Sequence, residues 1–306
     1  AGRVVALLRQ PARWPALGGD QAMLTISGGQ RNYGGGVPIL SHSPRSGLVR
    51  AVVDTLWYCQ IDVSHAAETV LPTGRAQLVL GLSHPHDQAL VVGPTSQAIV
   101  IDPGLQRRAV GVAFKPGGLA PLLRHHGAEL VDQRLDLEQV WGRTASSLIG
   151  ELAVADNPDL ILDRLEAELV HQLSAAQLEG DPVVDQAEQQ IALGYSVDDV
   201  VSALEMDRRA VAGRFRRRIG LGLKQYSRLR RFERAVATIR RDDAPPLATI
   251  AADLGFADQA HLTREFKSFS GLTPGRLHGL STSSPNHVVD DEIFKTNRPR
   301  SDRLQS

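Results

Sequence analysis

An internal repeat in the C-terminal part of the chain constrains its fold more than any other feature. Phe266 follows Phe215 by 51 residues, and Gly271 follows Gly220 by the same 51 residues. The repeated apolar and glycine positions are Val200, Ala203, Leu204, Val211, Phe215, Gly220, Leu221 and Tyr226 in the first copy, and Ile250, Leu254, Gly255, Phe256, Leu262, Phe266, Gly271, Leu272 and Leu277 in the second. Two copies in phase predict one helical unit that is used twice.

Each copy predicts a helix, a tight turn and a second helix. The residues that predict the helix starts are Ser196 with Asp199 three positions on, Asp207, Pro246 and Asp258. The two units span about 196–218 and about 246–269. Phe266 follows Leu254 by 12 positions, whereas Phe215 follows Leu204 by 11, so the turn of the second copy is one residue longer.

The second helix of each unit has the composition of a helix that enters the DNA major groove. An apolar face would hold it on a core, while polar side chains on the other face reach phosphates and base edges. The candidate DNA-binding residues are Arg208, Arg209, Ala212, Arg216, Gln259, Ala260, His261, Thr263, Arg264 and Lys267. An arginine-rich helix over 223–241 would hold two recognition helices about 34 Å apart, in successive major grooves. A plain helical bundle with a basic surface is the alternative, which the second copy disfavours.

The charge distribution fits a nucleic-acid partner for this part of the chain. The whole sequence is neutral, with 34 basic and 34 acidic residues. Residues 1–190 contain 14 basic and 20 acidic residues, a net charge of −6, whereas residues 191–280 contain 16 and 10, a net charge of +6. An acidic body joined to a basic module is typical of proteins that bind nucleic acid through the module.

At these residues the sequence resembles the AraC/XylS family of transcription regulators. The matching segments are Ile250-Ala251-Ala252-Asp253-Leu254-Gly255-Phe256, His261-Leu262-Thr263-Arg264-Glu265-Phe266-Lys267, Gly271-Leu272-Thr273-Pro274, and Arg231, Phe232 and Ala235 between the copies. The resemblance implies a DNA-binding domain over 183–280 and an effector-sensing or dimerising domain over 31–180. It also implies double-stranded DNA, a small-molecule effector, RNA polymerase and a second copy of the chain as partners, with no enzymatic activity, cofactor or metal.

The first copy departs from the family pattern in its turn and in its second helix. Glu205 stands where the family usually has glycine, which predicts a strained or reshaped turn. Ala212 and Gly213 occupy positions where outward polar residues are common, so this helix would depend on Arg208 and Arg209.

In the N-terminal half, a sequence pattern typical of short strands is followed by one typical of helices, which predicts an α+β chain. The apolar runs 48–61, 76–82, 89–92, 98–101 and 109–114 are separated by turn residues. Strands at this spacing predict a small antiparallel β-barrel or sandwich. Helices are predicted over 119–125, around 148–154 and from Pro158, with Asn157 as the N-cap. Residues 1–30 are expected to be a flexible leader, and 281–306 a disordered tail.

Several N-terminal residues could carry chemistry of their own. Trp57, Tyr58, Phe114 and Trp141 could line an apolar effector pocket, although aromatic residues more often form core. His84 and His86 could bind a metal in a cupin-like enzyme fused to a DNA-binding module, but the proline between them favours a turn. A sensor that acts through protein contacts is a further alternative. Two motifs, Leu71-Pro72-Thr73-Gly74-Arg75 and Phe114-Lys115-Pro116-Gly117-Gly118, resemble a sensor subgroup whose ligands the sequence does not assign.

The single cysteine and the hydropathy pattern bound the remaining possibilities. Cys59 excludes a disulfide framework and a cysteine-based zinc cluster, and its neighbours predict a small buried side chain. No apolar run approaches the roughly 20 residues that a membrane helix needs. A cytoplasmic protein is the expectation.

Overall fold

The computed structural model describes residues 39–60, 68–83, 89–101, 107–123, 125–176, 178, 180–280 and 287–289. The strands of these residues are β1 (Ile39–His42), β2 (Val53–Gln60), β3 (Glu68–Val70), β4 (Gln77–Gly81), β5 (Ala89–Val92), β6 (Ile99–Ile101), β7 (Arg108–Phe114), β8 (Arg134–Asp136) and β9 (His287–Val289). The N-terminal helices are α1 (Gly47–Arg50), α2 (Leu119–Leu123), α3 (Gly127–Leu130), α4 (Leu137–Trp141), α5 (Arg143–Val154) and α6 (Pro158–Ser174). The C-terminal helices are α7 (Pro182–Leu193), α8 (Val197–Ala203), α9 (Arg208–Ile219), α10 (Leu223–Ile239), α11 (Leu247–Asp253), α12 (Gln259–Ser270) and α13 (Pro274–His278). The prediction of mixed helix and sheet followed by a helical module is confirmed.

The described strands form two antiparallel sheets. The larger has the order β1–β2–β7–β4–β5–β8, and the smaller has the order β6–β3–β9. A barrel closes only when its two edge strands pair, and here β1 and β8 lie at opposite edges of the larger sheet. The closed barrel is therefore wrong for these strands. Val70 and Ile101 of the small sheet pack against Leu90 and Val92 of the large one, and a sandwich stays a prediction.

Several strands were not predicted because they are short. The run 89–92 corresponds to β5, but the run 48–61 divides into α1 and β2. Four strands, β1, β3, β8 and β9, have only three or four residues each. A segment this short shows too little alternation to be recognised from its own sequence, and pairing with distant strands stabilises it instead.

The N-terminal core lies between one face of the large sheet and the helices α5 and α6. Leu56, Leu78 and Val112, from three neighbouring strands, pack with Leu148 and Leu165 of the helices, and all are buried. Helix α6 begins as predicted, since the side chain of Asn157 accepts a hydrogen bond from the backbone of Asp159 at 2.9 Å. Its apolar stripe turns toward the sheet and gives the sheet a helical cover.

The C-terminal helices share one core that is centred on aromatic residues. Phe215 contacts Tyr226 edge to face with ring centroids 5.4 Å apart, and Phe232 contacts Phe266 at 4.9 Å. These rings join both repeated units and the helix between them. That helix ends at Ile239, two residues before its predicted end. Among the described residues, the longest helices have 17 residues, and none combines the length and apolar character needed to cross a membrane.

One segment of the predicted disordered tail is ordered. Residues 287–289 form β9, which pairs with β3 so that Val288 lies opposite Thr69. Val288 is fully buried in the C-terminal core. The expectation of disorder is wrong for these three residues, because their order comes from pairing with a strand about 220 positions earlier. The predicted leader lies outside the described residues.

Candidate nucleic-acid interface

The first repeated unit is a helix-turn-helix formed by α8 and α9. Ser196 caps α8 as predicted, because its hydroxyl accepts from the Asp199 amide at 3.1 Å. The Asp199 carboxylate accepts from the Ser196 hydroxyl at 2.7 Å rather than from the Ser196 backbone amide that a capping box would use. Asp207 caps α9 by accepting from the amides of Arg209 and Ala210 at 2.9 and 3.1 Å. Both predicted caps are confirmed, and they define where each helix begins.

Helix α9 turns its apolar face inward and its arginines outward. Val211, Phe215 and Ile219 are buried. Arg208, Arg209 and Arg216 are exposed, whereas Ala212 is half-buried and packs at the edge of the core. Arg208 forms an ion pair with Asp198 at 2.5 Å, and both side chains are more than half exposed. Exposed pairs of this kind contribute little, so the pair can be exchanged for a phosphate.

The turn of the first unit shows the strain that its sequence predicts. Glu205 has a φ angle of +50°, in the left-handed region. Gly255, at the matching place in the second unit, has a φ angle of +72°. Both turns therefore need the same backbone, which costs a residue with a Cβ roughly 1–2 kcal/mol.

The second unit, formed by α11 and α12, repeats this arrangement. Asp258 caps α12 by accepting from the amide of His261 at 2.5 Å. Leu262, Phe266 and Phe269 are buried on the inward face. Four of the predicted DNA-binding residues are exposed on the other face: Gln259, Ala260, Arg264 and Lys267.

His261 and Thr263 have contacts within the protein. The Nδ1 atom of His261 accepts from the amide of Ala257 at 3.2 Å, and its ring meets Phe256 edge to face with centroids 5.6 Å apart. The hydroxyl of Thr263 donates to the carbonyl of Gln259 at 2.9 Å. Both side chains are half-buried. His261 therefore supports the turn, and its role in DNA binding stays a prediction.

The arginines of α10 mainly hold the protein together. Glu265, a buried residue that the sequence analysis did not single out, accepts from Nε of Arg228 at 2.5 Å and from Nη2 of Arg231 at 3.2 Å. Arg231 also donates to the carbonyl of Gly255 at 2.9 Å and stacks 4.5 Å from the ring centroid of Phe256. The sequence did contain an indication of this role, because the carboxylate of Glu265 stands directly beside Phe266 on an apolar helix face. These contacts fasten the second unit to α10.

Burial separates structural arginines from those available to a ligand. Half-buried Arg230 pairs with half-buried Glu233, and desolvation lowers the pKa of Arg240 to about 10. Five exposed cationic residues on the recognition helices have no ion-pair partner among the described residues: Arg209, Arg216, Arg217, Arg264 and Lys267. Their charges are free to neutralise phosphates.

The four aromatic residues proposed for an effector pocket do not converge on one. Tyr58 and Phe114 lie in the core under the helices, and half-buried Trp141 packs at its edge. Trp57 faces the opposite side of the sheet and packs directly on Gly111. A common pocket for all four is therefore not formed, and an effector role for any of them stays a prediction.

Two other predictions concern metal and thiol chemistry. His84 and His86 lie outside the described residues. Among the residues that are described, no group of three or more His, Cys, Asp or Glu side chains could hold a metal ion. Cys59 is 1 % exposed, and desolvation raises the pKa of its thiol to about 12. The prediction of a buried side chain at this position is confirmed.

Comparison with known proteins places a family domain on each half of the chain. Residues 200–278 match a family described as Helix-turn-helix domain, and residues 41–136 match a Domain of unknown function (DUF6597). The first match begins within α8 and covers the rest of both units described above. The fold and the site thus define this chain as a protein with a C-terminal double helix-turn-helix domain.

The curated relatives specify the type of that domain. An AraC-like transcription regulator of Streptomyces antibioticus is 31 % identical over 148 residues, which are 46 % of this chain and 48 % of the relative. One of Streptomyces lividans gives the same values. The chain spans about half the length of these relatives. It carries an AraC-type helix-turn-helix domain, and the resemblance seen in the sequence is confirmed.

Two solved structures are also similar to parts of the chain. The C-terminal domain of AraT, a response regulator from Geobacillus stearothermophilus, is 19 % identical with a TM-score of 0.31 and covers 32 % of this chain and 84 % of its own. ToxT from Vibrio cholerae is 10 % identical with a TM-score of 0.38, and the match covers 79 % of this chain and 97 % of the ToxT chain.

Proposed function

We propose that this chain is a one-component transcription regulator that binds double-stranded DNA selectively through α9 and α12. The observation that carries the proposal is the shared construction of these helices. Each is capped by an aspartate, anchored by an apolar face and provided with exposed cationic side chains that lack ion-pair partners among the described residues. Such a helix satisfies what insertion into a major groove requires.

The side chains of the two helices support different contributions to binding. Gln259 and Thr263, near the start of α12, carry the amide and hydroxyl groups that read base edges. Arg264 and Lys267 are positioned to neutralise phosphates. Helix α9 has Ala212 at a position where a polar side chain that contacts bases is common, so it contributes to DNA binding mostly through its arginines. We therefore assign most of the specificity to the second unit.

The N-terminal half would regulate this binding in response to a small molecule, and would support contact with a second copy of the chain and with RNA polymerase. Contacts to both units support such regulation. The amide of Ala98 donates to the carbonyl of Phe269 at 2.8 Å, near the end of α12. Gly127 contacts Gly220, directly after α9. A change in the N-terminal half can thus shift one recognition helix relative to the other.

The experiment is a selection of DNA fragments by the full chain, followed by sequencing of the retained fragments. The expected result is an enriched motif of two short blocks about one helical turn apart. Affinity should fall steeply with salt, because bound arginines and lysines release counterions from the phosphates. Retention of all fragments without an enriched motif would overturn the proposal.

Two variants then separate base reading from phosphate binding. Gln259→Ala should relax the preference at particular bases and cost about 1–3 kcal/mol on the selected motif. Lys267→Ala should weaken binding to every sequence alike. It should also reduce the slope of log affinity against log salt concentration by about one. Lys224→Ala, which removes an exposed lysine of α10, is the control and should change neither. An equal loss on all sequences for Gln259→Ala would contradict its assignment.

A further inference from the structure

Two N-terminal motifs that the proposed function leaves unexplained lie against the DNA-binding domain. Leu71, in the motif at 71–75, is buried in the C-terminal core. A Cβ on Gly74 of the same motif would lie 2.8 Å from Cδ2 of Leu229 in α10. In the motif at 114–118, a Cβ on Gly117 would lie 2.8 Å from Cγ of Arg218 in α9. Both motifs therefore form the surface on which the DNA-binding domain docks.

A cleft of about 540 Å³ opens beside these contacts, between the two halves of the chain. The charged residues that line it are Asp54, Arg75 and Lys115 from the N-terminal half, and Asp185, Glu188, Arg218 and Arg230 from the C-terminal half. Pockets for small molecules commonly have about 300–1,000 Å³ and occur preferentially at domain interfaces. The cleft has both properties.

The carboxylates of the cleft already have partners. Asp54 accepts from Nη1 of Arg75 at 2.7 Å. Asp185 lies 3.1 Å from Nη2 of Arg218. Glu188 accepts from the hydroxyl of Tyr226 at 2.7 Å. Two of these carboxylates are thus ion-paired within the protein and the third accepts a hydrogen bond, so none of the three is left without a partner.

The groups that still lack partners are donors. The ammonium group of Lys115 has no ion pair or hydrogen bond among the described residues. Nη1 of Arg218 and Nε of Arg230 are buried without a hydrogen-bond acceptor in the described part of the chain. Buried donors cost free energy when they are left unpaired. An anion that entered the cleft would supply the missing acceptors.

We propose that this cleft binds a small molecule with a carboxylate or phosphate group, which Lys115 holds from one domain and Arg218 from the other. The proposal rests on the proposed function, since it locates the effector site of the regulator. Arg218 lies in the last turn of α9, whose first turn carries Arg208 and Arg209. A ligand that moves Arg218 relative to Lys115 changes how α9 is presented to DNA. The same ligand binds both halves and so couples effector binding to DNA binding.

The test uses the full chain with citrate and with inorganic phosphate as probes, at millimolar concentration and constant ionic strength. Thermal unfolding is measured for the wild type, Lys115→Gln, Lys115→Arg and Lys224→Gln. We expect at least one probe to raise the Tm of the wild type above that in sodium chloride. The increase should persist in Lys115→Arg and Lys224→Gln and disappear in Lys115→Gln. The effective probe shows which of the two anionic groups the cleft prefers.

Two results would overturn the site: no probe-specific increase in the wild type, or an equal increase in Lys115→Gln. With the effective probe, the Kd for the selected DNA should change about fivefold or more in the wild type, and should not change in Lys115→Gln. Failure of the two proposals can be told apart. A chain that selects no DNA motif contradicts the regulator, while the unfolding data judge the anion site separately.

Discussion

Gly127 in α3 and Gly220 at the end of α9 contact each other so closely that a Cβ on Gly127 would lie 2.7 Å from the amide nitrogen of Gly220. The reverse also holds, because a Cβ on Gly220 would lie 2.6 Å from the carbonyl oxygen of Gly127. Two backbones can approach this closely only where neither residue has a side chain. The first recognition helix is therefore held against the N-terminal half at its C-terminal end.

Replacing Gly127 by alanine should force these backbones apart. We expect the free energy of unfolding to fall by about 1–3 kcal/mol, as for other overpacked sites, and the affinity for DNA to change. Gly150→Ala is the matched control, because Gly150 is exposed in α5 and a Cβ there would meet nothing within 4 Å. It should stabilise the helix by about 0.5–1 kcal/mol. Denaturant unfolding measures the free energy of unfolding of both variants, and equal changes in the two would contradict the close contact.

Replacing Glu205 by glycine should stabilise the chain. Glu205 has a φ of +50°, and the left-handed conformation costs a side chain roughly 1–2 kcal/mol, part of which is offset by the greater freedom of glycine in the unfolded state. Gly255→Ala should destabilise, since Gly255 has a φ of +72° in the matching turn. Chemical denaturation compares the two variants. A less stable Glu205→Gly would show that the side chain contributes more than the strain costs.

Removing the carboxylate of Glu265 should loosen the second unit from α10. Glu265→Ala leaves Arg228 and Arg231 without their shared acceptor, and breaking a buried pair typically costs about 3 kcal/mol. Lys267→Ala, an exposed change on the same helix, should stay within about 0.5 kcal/mol of the wild type. A double-mutant cycle with Arg231→Ala should show coupling between the residues. Additive losses would argue against the ion pair.

The stability of the chain should depend on pH through Glu233. Desolvation raises the pKa of this half-buried carboxyl from 4.5 to about 7, against the opposing effect of Arg230. The native state thus holds the proton more tightly than the unfolded state, so stability falls as pH rises from 4.5 to 7. Glu233→Gln should remove up to about 3 kcal/mol of this dependence. Exposed Asp242→Asn is the control, and a wild-type pH profile in Glu233→Gln would contradict the assignment.

Truncation of Val288 should weaken the link between the tail and the core. This residue is fully buried, and Val288→Ala should cost about 1–2 kcal/mol from lost burial and the resulting cavity. Backbone amides of β3 should exchange hydrogen faster, because β9 is their partner strand. Val154→Ala, at a side chain that is 81 % exposed, is the control. Unchanged stability and exchange would show that β9 contributes nothing.

The sequence by itself determined the double helix-turn-helix. Caps such as Ser196 and Asp207 act on amides two or three positions away, and an apolar face repeats within one helical turn. The 51-residue repeat then showed that both units have the same construction. The strained or reshaped turn at Glu205 could also be predicted, because the resemblance to the family implies a glycine at this position.

Only the tertiary structure decided what depends on distant residues. The place of β7 between β2 and β4, the pairing of β9 with β3 and the burial of Glu265 each join residues far apart in the chain. Local periodicity contains no information on such pairing, since the free energy comes from surfaces that meet only after folding. For the same reason the motifs at 71–75 and 114–118 could be noticed in the sequence, but their shared contact with the DNA-binding domain could not.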